Sequence, residues 1–192
     1  TAATEPRAKV TSYIYDSYYL YPASVTDALS RVVTYTYDYS LGKPKQMTDQ
    51  NSFVYQTTYD GLDRVVAEKI PDFSSPYSAV NKTTYTYTDT SGAVSVLKTD
   101  YLDGSVSALT YQYFDGLKRL IQTRQEAESD YNVRDVVYND IGFVLKESLP
   151  YTSSGSPKTS ATGTTALYTN YTYDAMYRPA TAINAVGTTS YA

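Results

Sequence analysis

The side chains best placed to do chemistry in this sequence are tyrosines and aspartates that recur together. Tyr-x-Tyr followed by Asp occurs at Tyr13-Ile14-Tyr15-Asp16, Tyr35-Thr36-Tyr37-Asp38 and Tyr171-Thr172-Tyr173-Asp174. Variants stand at Thr57-Thr58-Tyr59-Asp60, Tyr85-Thr86-Tyr87-Thr88-Asp89, Tyr111-Gln112-Tyr113-Phe114-Asp115 and Val136-Val137-Tyr138-Asn139-Asp140. Exposed rings beside carboxylates suit the apolar faces and hydroxyls of a sugar. Two carboxylates about 5–9 Å apart in a cleft could hydrolyse a glycosidic bond. Clustered Asp could hold calcium, but Asp100-Tyr101-Leu102-Asp103-Gly104 lacks the spacing of a calcium loop.

Other chemistries are closed by composition. The 192 residues include 24 Tyr but no His, Cys or Trp. A Ser-His-Asp triad, a Cys nucleophile, a zinc site of the usual ligands and a disulfide are therefore excluded. With 16 basic and 20 acidic residues the net charge is −4, which does not suggest a surface for nucleic acid. No apolar run approaches the roughly 18 residues that span a bilayer. A bland role already accounts for the recurrent Asp, because its side chain accepts hydrogen bonds from backbone two residues on and so opens turns. We expect no catalytic residue, no metal ligand and no cofactor.

The elements that carry these residues follow from period-two alternation. Both Tyr of a Tyr-x-Tyr point to one face of a strand, while the middle residue, often Thr, points to the other. Asp then opens a turn, and an apolar stretch returns: Asp60-Gly61-Leu62-Asp63-Arg64 leads into Val65-Val66, and Asp115-Gly116-Leu117-Lys118-Arg119 into Leu120-Ile121. Each unit reads as a β-hairpin. Tyr15, Tyr37 and Tyr59 follow at equal intervals, and about seven units occur in series, so residues 1–192 read as a single repeat array cut from a longer protein. The fold class is all-β. Repetition at nearly every unit favours stacked Tyr rings over a sugar platform.

Several segments interrupt the pattern. Residues 71–82 and the Ser/Thr/Gly-rich 152–165 are expected to be surface loops. Thr123–Ser129 reads as a polar hairpin tip, Tyr21–Leu29 as a turn between strands, and the first dozen residues as disordered. Arg64 and Arg119 are expected to pair with turn carboxylates or carbonyls rather than with phosphate.

The motifs resemble those of the YD-repeat, or RHS-repeat, family, whose signature is an aromatic residue and Asp, two variable residues, then Gly-Arg. Tyr59-Asp60…Asp63-Arg64, Phe114-Asp115…Lys118-Arg119 and Tyr173-Asp174…Tyr177-Arg178 fit in outline, each replacing the Gly. Gly142 keeps it, between Asn139 and Phe143. Lys and Tyr adopt a left-handed backbone less readily than Gly, so those turns are expected to depart from the family geometry.

The resemblance implies successive hairpins joined into one long, spiralling antiparallel sheet. Such sheets form hollow shells in bacterial RHS proteins, in the B and C components of Tc insecticidal toxins and, more distantly, in teneurins. It further implies a non-catalytic, secreted or cell-surface module whose partners are the remaining repeats and an enclosed toxin domain, the alternative being a module that adheres to cell-surface glycans. RHS toxin shells often end in a self-cleaving core with Asp-Pro pairs, and this chain has none.

Overall fold

The computed structural model describes residues 2–5, 9–90, 93–103, 106–155 and 166–191, none of them helical. Seventeen strands belong to one antiparallel sheet. The chain divides into two compact units, 1–85 with 100–105, and 86–99 with 106–192.

In the first unit β1 (Ala2–Thr4), β2 (Val10–Tyr15), β3 (Pro22–Thr26), β4 (Val32–Asp38), β5 (Lys43–Thr48), β6 (Val54–Tyr59), β7 (Val65–Asp72) and the start of β8 (Ser75–Thr90) pair in chain order. Directly opposed residues share a face. Tyr13, Val25, Val33, Tyr35, Met47 and Tyr55 therefore lie together. The other face carries Ser24, Thr34, Thr48, Gln46 and Gln56, with Gln56 donating to Gln46 at 3.0 Å. In β4 the Tyr side is half-buried and the Thr side exposed, as the Tyr-x-Tyr alternation requires.

The second unit contains β9 (Ala93–Tyr101) in part, β10 (Ser107–Phe114), β11 (Leu120–Glu126), β12 (Tyr131–Tyr138), β13 (Val144–Ser148), β14 (Tyr151–Ser153), β15 (Tyr168–Tyr173), β16 (Pro179–Ile183) and β17 (Thr188–Ser190). Here β12 pairs with both β13 and β14, and β13 then pairs with β15. Tyr111 and Tyr113 oppose Arg124 and Gln122, and so share a face with Val133 and Asp135. Tyr171 lies on the opposite face, with Thr169 and Glu147. The one-residue insertion of Phe114 before Asp115 causes the difference, because a slip of one residue turns every side chain over.

Neither unit encloses an ordinary core. The only buried apolar residues described are Val54, Pro71 and Val133, and they are outnumbered by buried Thr83, Gln122, Arg124, Asp135 and Ser148. Strand-to-strand contact within the sheet, rather than packing between layers, must hold such a structure.

Six sequence expectations are corrected. Residues 71–82 are not a loop: β7 ends at Asp72, Phe73-Ser74 turn, and β8 returns with Ile70 opposite Val80 and Pro71 opposite Ala79. Pro71 adjoins a register shift, which tolerates the missing donor, and Asp72 caps the turn through the Ser74 N–H at 2.9 Å. Thr152 and Ser153 belong to β14, and residues 156–165 lie outside those described. Strand β8 runs on through Asp89, so no turn follows Tyr87. Pro22–Thr26 is a strand, Ala2–Thr4 pairs with β2, and β11 extends through Glu126 before a tip at 127–130.

The turns share one backbone form. Asp60, Asp115, Asn139 and Asp174 each donate their N–H to the carbonyl four residues on and accept from the N–H three residues on. That third residue is left-handed: Asp63 at φ 66°, Lys118 at 62°, Gly142 at 94° and Tyr177 at 61°. The expected departure at Lys118 and Tyr177 therefore does not occur. Replacing exposed Lys118 by Gly should relieve the left-handed strain and raise stability by about 0.5–1 kcal/mol in urea unfolding. Tyr177→Gly should gain less, because it removes a ring stacked on Phe143 at 5.5 Å.

Candidate functional site

The recurrent feature is a turn joined to the next hairpin, and its first part is the Asp side chain. Oδ1 of Asp60, Asp115 and Asp174 accepts the N–H groups two and four residues on, at 2.8–3.0 Å, and Oδ2 accepts Nε of Arg64, Arg119 and Arg178 at 2.7–2.8 Å. One carboxylate thus satisfies two backbone donors and a guanidinium. Bonding to the N–H of that arginine, foremost, holds each carboxyl below the usual carboxylate range, and burial opposes the shift. Asp16 and Asp38 cap slightly longer turns, with Tyr19 and Gly42 left-handed. A Cβ on Gly42, left-handed at φ 67°, would stand 2.8 Å from the Tyr21 hydroxyl and push that ring aside, so glycine fits best there.

The second part is a bulge. In six hairpins the register shifts immediately before the residue preceding Asp or Asn: at Ile14/Tyr15, Thr36/Tyr37, Thr58/Tyr59, Tyr113/Phe114, Val137/Tyr138 and Thr172/Tyr173. A bulge disrupts the ladder locally and re-aims the side chain. The residues opposite these positions are Pro22, Pro44, Val65, Leu120, Val144 and Pro179.

The third part links one hairpin to the next. Tyr37 donates its hydroxyl to the Pro22 carbonyl at 3.0 Å, Tyr59 to Pro44 at 3.2 Å, Tyr138 to Leu120 at 3.0 Å and Tyr173 to Val144 at 2.9 Å. Each acceptor lies opposite the bulge of the preceding hairpin. Each ring also meets the residue just before its acceptor. Tyr37 stacks on Tyr21 at 4.7 Å, Lys43 Nζ lies 5.1 Å from the Tyr59 ring, Arg119 Cζ lies 4.4 Å from the Tyr138 ring, and Tyr173 meets Phe143 at 5.1 Å. The signature arginine therefore has two partners: the Asp of its own turn and, at Arg119, the tyrosine of the next hairpin.

Among the other sequence-singled residues, Tyr13 and Tyr15 oppose Val25 and Pro22, Tyr35 lies 6.5 Å from Tyr37, and Tyr111 stacks on Tyr113 at 6.4 Å. Tyr85 and Tyr87 lie within β8. Phe114 takes the bulge position, where it has no hydroxyl to donate. Among the described ring contacts, those of Tyr37, Tyr59, Tyr138 and Tyr173 do not make one continuous tyrosine ladder. These four pair instead with whatever flat or cationic side chain leaves the previous turn.

Two groups were missed from sequence. Asp27 caps Leu29 and Arg31 and binds Arg31 Nε at 2.6 Å, with Ser30 left-handed, and Asp49 likewise caps Asn51 and Phe53, with Ser52 left-handed. These turns connect hairpins at the opposite edge. The spacing Asp27…Arg31 repeats Asp60…Arg64 and could have revealed the first of them. The second group is buried in the β11–β14 region. Gln122 Nε2 donates to Asp135 Oδ1 at 2.6 Å, and Tyr151 donates to Asp135 Oδ2 at 2.7 Å. The Ser148 hydroxyl accepts the Asp135 N–H at 2.8 Å, and Arg124 Nη2 donates to the carbonyls of Ser153, Ser154 and Gly155. Burial, and then the bond to Asp135, pushes the Tyr151 phenol well above its ordinary range.

Serial hairpins, capped by Asp or Asn and at four places joined to the one before by a tyrosine, define a repeat protein with the RHS/YD-repeat fold. Residues 83–191 match the model of the family described as "Domain of unknown function (DUF6443)", and the chain belongs to that family. No curated protein matches the chain in sequence. Its fold is similar to the crystal structure of TcdB2-TccC3, with 18% identity over 93% of this chain and a TM-score of 0.68. It is also similar to TcdB2-TccC3 without the hypervariable C-terminal region (13% identity, 93% of this chain, TM-score 0.66) and to TcdB2-TccC3-Cdc42 (15%, 93%, 0.65). The chain spans 12–14% of the length of those chains.

The joint predicts a graded response to removal of single oxygens. Tyr37→Phe, Tyr59→Phe, Tyr138→Phe and Tyr173→Phe should each cost about 0.5–1.5 kcal/mol in urea unfolding, whereas Tyr15→Phe, whose hydroxyl makes none of these bonds, should cost less. The turns predict acid lability. Because the folded pKa values of Asp60, Asp115 and Asp174 are depressed, their stabilisation is present above the ordinary carboxylate pKa of about 4 and is lost as pH falls through the folded values. Thermal melts from pH 7 to pH 2 should show that decline, and Asp115→Asn should flatten it.

Proposed function

We propose that this chain is a non-catalytic stretch of the repeat sheet of a large secreted bacterial RHS protein, and that the sheet encloses or presents a toxin or effector domain. The observation that carries this reading is the joint between hairpins. Each repeat offers its neighbour the same carbonyl and the same flat or cationic platform that it uses itself, so the interaction extends without a natural limit. The short share of the matched chains that this chain spans accords with a part of a longer array.

The turn tips add support. Leu62, Leu117, Ile141 and Met176, each two residues after the capping residue, are 70%, 75%, 58% and 67% exposed. Apolar side chains repeated in this way suit burial within a larger assembly. Its partners are then the remaining repeats and the enclosed domain. The chemistry of the motif favours structure over catalysis, since each turn Asp is engaged by backbone N–H groups and, in the signature turns, by arginine. A glycan platform is the weaker reading, because in four repeats the Tyr before the cap has both its ring and its hydroxyl engaged within the sheet. No described helix is long and apolar enough to cross a membrane.

Limited proteolysis of the full-length protein tests the proposal. The segment after the repeats should be protected while the array is folded and be cut once Tyr138→Ala and Tyr173→Ala together loosen it. Equal cleavage of that segment with and without a folded array would overturn the enclosing role.

A further inference from the structure

A cleft of about 340 Å³ in the second unit is lined by Val144, Glu147, Tyr171, Tyr173, Pro179 and Tyr191. Its polar chemistry is lopsided. Tyr171 donates its hydroxyl to Glu147 Oε1, and Tyr173 donates to the Val144 carbonyl at 2.9 Å. Two of the three phenol protons are thus spent inside the fold. Among the described residues, no lysine or arginine lines the cleft. What it offers a guest is aromatic surface and phenol oxygens beside a carboxylate, almost all acceptor and no cation. The bond to Glu147, foremost, and burial push the Tyr171 phenol up to about 12, so its proton stays on that bond.

The same protein supplies a comparison. In the first unit a similar hollow of about 250 Å³ is lined by Tyr35, Pro44, Lys45, Gln46, Met47 and Tyr55, with Thr57. Tyr35 and Pro44 match Tyr171 and Pro179 in their hairpins. Among the described residues, no carboxylate lines that hollow, and a lysine does. A groove therefore lies beside the Tyr-x-Tyr strand in both hairpins, acidic at Glu147 and basic at Lys45. Glu147 also borders a second hollow with Arg134, but no ion pair joins the two among the described residues.

We propose that the Glu147–Tyr171–Tyr173–Tyr191 cleft is a binding site for an organic ammonium group, of the quaternary or methylated-amine class. The rings of Tyr171 and Tyr191 supply cation–π attraction, Tyr173, its ring already set against Phe143, forms a wall, and Glu147 supplies the counter-charge. A sugar is a poorer fit, because its hydroxyls need donors as well as acceptors and only the Tyr191 hydroxyl remains unspent. The site does not depend on the shell reading, and it adds a recognition property to a structural module.

Tetramethylammonium chloride is the probe, titrated into the intact chain and followed by NMR shifts of the tyrosine ring protons at constant ionic strength held with sodium chloride. Methyl β-glucoside is titrated in parallel. Saturable binding of tetramethylammonium is expected, with methyl glucoside weaker. Glu147→Gln keeps an oxygen to accept from Tyr171 and removes only the charge, so it should weaken binding about tenfold. Tyr191→Ala removes a half-exposed ring, should leave the circular dichroism of the sheet unchanged, and should also weaken binding. Lys45→Gln, at the comparison hollow, should change nothing. The proposal falls if the wild-type chain shows no saturable shift, if Glu147→Gln and Tyr191→Ala bind as wild type, or if methyl glucoside binds more tightly than the cation.

Discussion

Everything in this structure turns on a phenol proton given to a backbone carbonyl. A sheet that buries only Val54, Pro71 and Val133 among its described apolar residues cannot be held by a hydrophobic centre. It must be held sideways, strand by strand. The hydroxyls of Tyr37, Tyr59, Tyr138 and Tyr173 act where the ladder is disrupted, at the carbonyl opposite the preceding bulge. One such bond contributes about 1 kcal/mol, which alone would decide little. Its weight comes from position, because it fixes the register of one hairpin against the next, and register governs which face every later side chain occupies.

The joint needs a turn that delivers its platform residue reliably, and Asp supplies this. With its carboxylate holding N–H groups two and four residues on, the residue between them is kept in the left-handed region whatever its identity. Lys118 and Tyr177 sit there at φ values close to that of Asp63. The cap's hydrogen bonds outweigh a strain of about 1–2 kcal/mol, which explains how the family glycine can be replaced without altering the turn. At Asn139 the neutral amide still accepts the Phe143 N–H at 2.9 Å, and the turn persists without its ion pair. The cap is therefore a matter of geometry first and charge second.

How much of this could be read in advance depends on how local each determinant is. Period-two alternation and Asp turn chemistry are written within five or six residues, so the hairpins at Tyr15, Tyr37, Tyr59, Tyr138 and Tyr173 and the Asp–Arg pairs were legible. The pairing at 71–82 was not, because Pro71 and its Ser-rich neighbours read as loop while Ile70 and Val80 meet only through the hairpin. Arg124 reads as a surface charge in sequence. It is buried because carbonyls far along the chain, at Ser153 and Ser154, close over it. The inverted face of Tyr111 and Tyr113 hinges on the single inserted Phe114, a small change whose consequence appears only through register.

The tyrosine excess also acquires a chemical reason. At the position before the capping residue, Tyr37, Tyr59, Tyr138 and Tyr173 are used both as ring and as donor, and phenylalanine could fill only the first role. The platform beneath them carries no such demand: Tyr21, Lys43, Arg119 and Phe143 are an aromatic phenol, an ammonium, a guanidinium and a bare ring, and each provides a surface for the next tyrosine. One side of the joint is chemically strict and the other permissive. Repeats can therefore diverge at the platform, and at return-strand positions such as Glu147, while the tyrosine and its carbonyl keep the sheet in register.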